Sequence, residues 1–158
     1  MLKSTLLLSC LFLFTFSTVF SQDLVVQKPE SNVPAPISAA FAKKFPTSEP
    51  VWFSDYQGKY NQQLVYEGRF MYKNRNTSVI YEANGNLLAT VVRVDQKELP
   101  KKIVAYMNEK FPSFPIRDAA LVTAQNNETT YEVGIIINET YVIKVFSEEG
   151  DFIKSTIG

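Results

Sequence analysis

The sequence predicts an α+β domain in which two helices pack on one face of an antiparallel sheet. Three observations predict this fold class. Residues 33–46 recur as residues 99–112, and later segments recur at a separation of 65 residues. Each copy begins with an apolar stripe of helical period and continues with alternating strands joined by short turns. The domain therefore consists of two tandem helix-plus-antiparallel-strand units, residues 33–94 and 95–158.

The two copies share residue types at matching positions. Pro, Ile, Ala, Lys, Phe and Pro occupy the same six places in residues 33–46 and 99–112. The pair Tyr66-Glu67 recurs as Tyr131-Glu132, and residues 81–88 recur as 146–153, each with a predicted hairpin turn at its glycine, Gly85 or Gly150. Several matches in the same order indicate an internal duplication.

A helix opens each unit. Its apolar side chains recur every four residues: Ile37, Phe41 and Phe45 in the first copy, and Ile103, Met107 and Phe111 in the second. Pro34 and Pro100 suit the first helical position, where a missing N–H costs nothing. Pro46 and Pro112 end the helices, because a residue before proline is disfavoured in the helical region.

Four strands follow each helix. We predict strands over residues 51–54, 64–73, 77–83 and 86–94, and over 117–124, 130–137, 140–147 and 151–156. Short turns containing Asn, Glu or Gly join most of them, so the sheet is antiparallel. Alternation directs Tyr66 and Tyr131 toward the helices, and Glu67 and Glu132 toward water or a partner. The strand 140–147 is apolar on both sides, so its faces are not assigned.

The first 21 residues have the layout of a secretory signal peptide. Lys3 precedes an apolar run, and small side chains follow it up to Ser21. The run is shorter than the roughly 20 residues that span a bilayer. We expect cleavage after Ser21, a flexible leader over 22–32 and a single domain over 33–158, located in the periplasm or outside the cell. The alternative, lipid attachment at Cys10, places the cysteine inside the apolar run.

The composition excludes several function classes. The 158 residues include 16 basic and 16 acidic side chains, no histidine and one cysteine. Without histidine there is no His-dependent triad, and without a cysteine after cleavage there is no thiolate metal site. The near-neutral charge disfavours nucleic acid and anionic membranes as partners. We expect no cofactor, no metal and no membrane association after signal removal.

The pattern V/L-P-x-x-I…K-F-P, followed by strands and a glycine hairpin, occurs twice and resembles the PepSY-like family. These small exported bacterial proteins are also described as similar to the beta-lactamase-inhibitor fold. The resemblance covers most of residues 33–158 and includes Trp52, although the second unit lacks a matching tryptophan. It implies an open sheet whose exposed face docks on another protein, and it offers no catalytic residues. Such motifs specify a fold better than an activity.

Two kinds of candidate site remain. The matching Glu67 and Glu132 are suitable for acid–base chemistry, but the pattern favours ordinary solvent-facing strand residues. Trp52, Tyr56 and Tyr60 lie around a polar loop over residues 54–63. Trp, Tyr, Arg and Met are frequent anchors at interfaces. We therefore predict an interaction patch of Trp52, Tyr56, Arg69 and Met71, with the alternative that Trp52 is a core residue.

Charge differs between the units. Residues 33–94 carry seven basic and four acidic groups, whereas residues 95–158 carry seven and ten. Such a split steers a charged partner, lets copies associate head to tail, or arises by drift between duplicated halves.

The sequence favours a non-catalytic exported module that binds another exported or envelope protein. Inhibition of a hydrolase is one specific form of this function. The alternative is a periplasmic small-molecule carrier or sensor, which requires an apolar pocket. The sequence does not determine the partner or the oligomeric state.

Overall fold

The structure is a computed structural model that describes residues 28–57 and 63–158. The predicted signal peptide, Cys10, the start of the leader and the middle of the 54–63 loop lie outside the described residues. The elements in order are α1 (Ala35–Lys44), β1 (Val51–Gln57), β2 (Gln63–Tyr72), β3 (Arg75–Glu82), β4 (Leu87–Arg93), a 3₁₀ helix (Gln96–Glu98), α2 (Lys101–Lys110), β5 (Asp118–Ala124), β6 (Thr129–Ile137), β7 (Thr140–Ser147) and β8 (Phe152–Ile157). Neither of the two described stretches contains a helix long and apolar enough to cross a membrane.

All eight strands form one antiparallel sheet in chain order, β1 to β8. The two units join where β4 pairs with β5, between Ala89↔Ala124 and Arg93↔Ala120. The predicted fold class is therefore confirmed. One strand differs clearly from its prediction: β1 continues to Gln57 because it pairs with β2 along its whole length. Tyr56 accordingly lies in a strand rather than in a loop.

Both helices lie on the same face of the sheet, each over its own core cluster. The cluster under α1 contains Ile37, Phe41, Phe45, Phe70, Val79 and Tyr81. The cluster under α2 contains Leu99, Ile103, Met107, Ala119, Val133, Ile135 and Phe146. Tyr66 and Tyr131 pack at the margins of these clusters, so the predicted helix-facing side of the sheet is confirmed.

The helix boundaries follow from proline, with one correction to the prediction. Pro34 and Pro100 are N-caps with extended ψ angles of 135° and 136°, not first helical residues. An N-cap residue keeps a non-helical backbone while its carbonyl accepts the first helical bond. The carbonyl of Pro34 accepts from Ile37 N–H at 3.0 Å, and that of Pro100 accepts from Ile103 N–H at 3.0 Å.

Two glycine turns place a hairpin tip against the first turn of each helix. Gly85 and Gly150 have φ angles of +89° and +86°, which L side chains rarely adopt. A Cβ on Gly85 would lie 2.8 Å from the Pro36 carbonyl oxygen, and one on Gly150 would lie 3.2 Å from Lys102 Cβ. Both predicted glycine hairpins are confirmed. Each hairpin joins the last two strands of a unit, and its tip contacts the helix that begins the same unit.

Candidate functional site

The face of the sheet opposite the helices, here called the open face, has an apolar cluster of its own. Its buried residues are Val65, Ile80, Leu88, Ala89, Val91, Ala120, Val122, Ile143 and Val145. Each of them is at most 9% exposed, although neither helix contributes a residue to the cluster. This cluster explains why both sides of β7 are apolar: Val142 and Phe146 face α2, while Ile143 and Val145 belong to the open face.

A polar pair interrupts this cluster in the second unit. Tyr141 Oη donates a hydrogen bond to Asp118 Oδ1 at 2.7 Å. The phenol crosses over Gly134, which lies opposite Asp118 in the β5–β6 register and has no side chain to obstruct it. The second carboxylate oxygen, Asp118 Oδ2, is buried and accepts no hydrogen bond from a described residue. An unpaired buried acceptor of this kind is uncommon in folded proteins.

Glu132 lies beside this pair, between Ala120 on β5 and Val145 on β7. Burial raises the pKa of its carboxyl from 4.5 to about 7, while Lys154 partly opposes the rise. Glu132 lies on the predicted open face, but it is half-buried there rather than fully solvent-facing. Its apolar surroundings disfavour the charged form. The same burial, reinforced by the hydrogen bond to Asp118, raises the pKa of Tyr141.

Glu67 occupies the matching position in the first unit, with different neighbours. Its carboxylate accepts a hydrogen bond from Arg69 Nη2 at 2.6 Å. The Arg69 guanidinium also stacks over Phe53, 4.3 Å from the ring centre. Glu67 of the first unit is thus held in an ion pair. Glu132, at the matching position of the second unit, is half-buried among apolar side chains.

The structure divides the predicted interaction patch between two faces. Trp52 and Tyr56 alternate with the open-face residues of β1 and lie on the helix side. The Trp52 ring packs edge-on against Phe41 at 5.5 Å, so the alternative of a core role fits Trp52. Arg69 and Met71 lie on the open face of β2. The four residues therefore do not form one surface, and partner binding by Arg69 and Met71 stays a prediction.

The described residues contain no group of three or more His, Cys, Asp or Glu side chains arranged to hold a metal ion. A shallow groove beside the start of α2 is lined by Leu99, Lys101 and Val104 and opens to solvent. It lies apart from Glu132 and Asp118. The open face is thus the surface on which apolar area and unusual polar groups coincide.

No protein-family model matches the chain, and no curated protein is similar to it in sequence. Solved structures do resemble it. A DUF2874 family protein from Bacteroides uniformis has a TM-score of 0.67 at 16% identity, over 79% of this chain and 89% of its own. A BLIP-like protein from Bacteroides fragilis has a TM-score of 0.62 at 20% identity, over 80% and 86%. The fold is BLIP-like.

A third structure, of a presumed periplasmic protein from Bacteroides eggerthii, has a TM-score of 0.67 at 13% identity, over 80% and 89% of the two chains. At identities this low the likeness shows the fold alone. The beta-lactamase-inhibitor-like fold that the sequence resemblance implied is therefore confirmed. The PepSY-like family itself stays a prediction.

Proposed function

We propose that this BLIP-like protein is an exported, non-catalytic module that binds another exported or envelope protein through its open sheet face. The observation that carries the proposal is the apolar cluster of nine buried residues on the face opposite both helices. A sheet normally buries an apolar face against a second layer. The nine side chains themselves are buried, but Val51 and Met71 on the same face are 50% and 58% exposed, and exposed apolar side chains beside an uncovered apolar cluster are typical of an interaction site.

Export is supported by two independent observations. The first 21 residues have the three-part layout of a signal peptide. One structural neighbour, from Bacteroides eggerthii, carries a periplasmic description. We place cleavage after Ser21, which leaves every described helix and strand in the exported chain.

A binding role fits Glu132 better than a catalytic role. A carboxyl with a pKa of about 7 is suited to acid–base chemistry in principle. Its direct cross-strand neighbours, Ala120 and Val145, supply neither a nucleophile nor a second proton carrier. Tyr141 is already engaged with Asp118. We therefore assign to these groups the recognition of a partner rather than the conversion of a substrate.

The partner supplies hydrogen-bond donors to the centre of this face. Asp118 Oδ2 is a buried acceptor that no described residue satisfies. Leaving such a group unpaired costs roughly 1–3 kcal/mol. The atom is not accessible to solvent, so a donor from the partner recovers this cost when the Tyr141 side chain moves aside on binding. An amide, hydroxyl or basic side chain within an otherwise apolar partner surface fits this chemistry.

Affinity capture with matched variants tests the proposal. Residues 22–158, tagged before Gln22, are incubated with envelope and medium fractions of the source organism, and retained proteins are identified by mass spectrometry. We expect Met71→Glu, on the open face, to lower retention of the enriched protein about tenfold. Asp118→Asn keeps the Tyr141 acceptor but replaces Oδ2 with a donor, and we expect a similar loss.

Ala42→Glu, on the solvent side of α1, is the matched control and keeps full retention. Circular dichroism verifies that each variant is folded. Equal retention by wild type and both open-face variants would contradict the proposal. So would an absence of any retained protein, which favours the small-molecule alternative. If the captured protein is a hydrolase, its activity with and without the module tests the inhibitory form.

A further inference from the structure

Lys144, on the helix side of β7, is a buried cation in apolar surroundings. The residue is 6% exposed, and its Nζ lies 4.1 Å from the centre of the Phe111 ring. Ser155 Oγ, 2.9 Å away, is its one hydrogen-bond acceptor among the described residues, although an ammonium has three donors. None of the ion pairs between described residues includes Lys144. Burial lowers the pKa of this amino group, because no carboxylate stabilises its charged form.

The internal repeat shows that the fold does not need a charge at this position. Lys144 corresponds to Val79, 65 residues earlier, which is 0% exposed in the core cluster under α1. Their cross-strand neighbours, Ser155 and Thr90, also correspond, and the two pairs have the same register. The second unit thus has a lysine where the first has a fully buried valine, and a buried charge is costly unless it is paired.

Lys144 lies one strand away from the edge of the described sheet. Its amino group contacts Ser155 on β8, whose outer side pairs with no described strand. Gly158 N–H donates to the Tyr141 carbonyl oxygen. The backbone groups of Ser155 and Ile157 alternate with those of Gly158 and therefore point away from β7, toward the open edge. Both residues are exposed, Ile157 to 66%.

The first unit shows how a strand covers this edge. β4, the counterpart of β8, is covered by β5, in which Thr123 lies opposite Thr90 on the helix side. A strand added to β8 in the same register places one side chain opposite Ser155, on the face that contains Lys144. A carboxylate at that position reaches the ammonium across Ser155.

A second copy of this chain does not supply that carboxylate. β1 corresponds to β5 and has Tyr56 at the position of Thr123, as their pairing with β2 and β6 shows. The charge of Lys144 is therefore complemented by an acidic segment of a different protein.

We propose that β8 binds an extended segment of a partner protein, which adds antiparallel to this edge and places an Asp or Glu side chain opposite Ser155. The carboxylate pairs with Lys144, and an apolar side chain two residues earlier in the segment packs on Ile157. In strand addition of this kind, main-chain hydrogen bonds give affinity and alternate side chains give specificity. The site uses the sheet edge and is independent of the open-face function proposed above.

Two peptides that differ in one side chain test the proposal on residues 22–158, which include every described element. Both have the sequence of residues 117–125, with Thr123→Glu in one and Thr123→Gln in the other. Fluorescence anisotropy of the labelled peptides measures each Kd. We expect the Glu peptide to bind about tenfold more tightly, because a hydrogen bond between charged groups is about twice as strong as a neutral one.

Variants of the protein assign the preference to Lys144. Lys144→Val introduces the residue of the first unit, and both peptides should then bind with the affinity of the Gln peptide. Lys144→Met repeats this test with a longer apolar side chain. Lys154→Gln, the matched control, removes the one charge of β8, on the opposite face, and should keep the tenfold preference. Ile157→Lys should weaken both peptides, because Leu121 of the peptide loses its apolar neighbour. Circular dichroism verifies that each variant is folded.

Equal affinity of the two peptides for the wild type would overturn the proposal, as would a preference that survives Lys144→Val and Lys144→Met. Failure of both peptides to bind at millimolar concentration would also overturn it. Sodium acetate at the concentration of the peptide should not displace the Glu peptide. Displacement by acetate would point to a site for small anions and would contradict strand addition.

Discussion

Glu67 and Glu132 occupy the same position in the two units, yet Glu67 forms an ion pair, whereas Glu132 is half-buried among apolar side chains with Lys154 nearby. The difference comes from two neighbouring positions. Arg69 of the first unit corresponds to Gly134 in the second, and Phe53 opposite Glu67 corresponds to Ala120 opposite Glu132. Removing the cationic partner and shrinking the neighbour converts a surface ion pair into a carboxyl with a pKa of about 7.

On the helix-facing side, one large aromatic residue is kept at the same place in both units. Tyr81 and Phe146 correspond to each other and are 1% and 0% exposed. Each lies under its own helix, among apolar side chains. Both units thus keep a buried aromatic under the helix, while the open face of the second unit contains Asp118 and Tyr141 where the first unit has Val51 and Asn76.

The largest expected effect tests the conserved side of this comparison. Phe146 is fully buried and packs edge-on against Tyr106 at 5.3 Å. Phe146→Ala should lower the free energy of unfolding by about 3–5 kcal/mol, because it removes a ring and leaves a cavity. Denaturant unfolding followed by circular dichroism measures this change. Tyr81→Ala should have an effect of similar size, and a much smaller one would show that the two clusters are not equivalent.

The next effect tests the divergent carboxyls. In the folded protein the pKa of Glu132 is raised from 4.5 to about 7. The folded state therefore binds more protons than the unfolded state between these values, and stability falls as pH rises from 4.5 to 7. Glu132→Gln should raise the free energy of unfolding at pH 8 by about 3 kcal/mol, since a tenfold change in proton affinity corresponds to about 1.4 kcal/mol.

Urea unfolding at pH 8 and pH 4.5 measures the Glu132 effect, and the gain should be largely absent at pH 4.5. Glu67→Gln is the matched control. It removes one partner of a partly exposed ion pair and should lower stability by less than about 1 kcal/mol. A destabilising Glu132→Gln at pH 8 would contradict the buried environment of this carboxyl.

Substitution of Gly68 or Gly134 should lower stability by less, and by different amounts on the helix side and on the open face of the sheet. A Cβ on Gly68 would lie 2.8 Å from Trp52 Cζ3, inside the core under α1. A Cβ on Gly134 would displace the Tyr141 phenol, which has the open side of the sheet to move into. Gly68→Ala should lower stability by about 2–3 kcal/mol and Gly134→Ala by about 1 kcal/mol. Thermal unfolding of the two variants checks the order.

The smallest effect concerns an exposed ion pair that links the units. Arg75, at the start of β3, donates through Nη1 to Glu98 Oε2 at 3.0 Å. The hydrogen bond from Arg75 lowers the pKa of Glu98 to about 2, assisted by the Asp95 backbone N–H. This contribution is present above pH 4.5 and is lost as pH falls toward 2. Arg75→Gln should change the melting temperature only slightly at neutral pH and not at all below pH 2, as measured by calorimetry.

Short-range patterns in the sequence determined the duplication, both helices, all eight strands and the face that meets the helices. They suffice because proline, glycine and hydrophobic period act through neighbouring residues. The start of α1 after Pro34 and the length of β1 differed slightly from the prediction. The ends of helices and strands depend on cap geometry and on the partner strand. The proposed functions of the two surfaces, by contrast, required knowing which residues lie together.

Only the tertiary structure decided the character of the open face. Asp118, Glu132 and Tyr141 are far apart in sequence, and their proximity depends on the register of β5, β6 and β7. The same register separated Trp52 from Met71 and buried Lys144 on the helix side, over the Phe111 ring at 4.1 Å. A side chain's alternation is local, but its burial and pKa depend on residues from other strands. Those are set only when the whole sheet has formed.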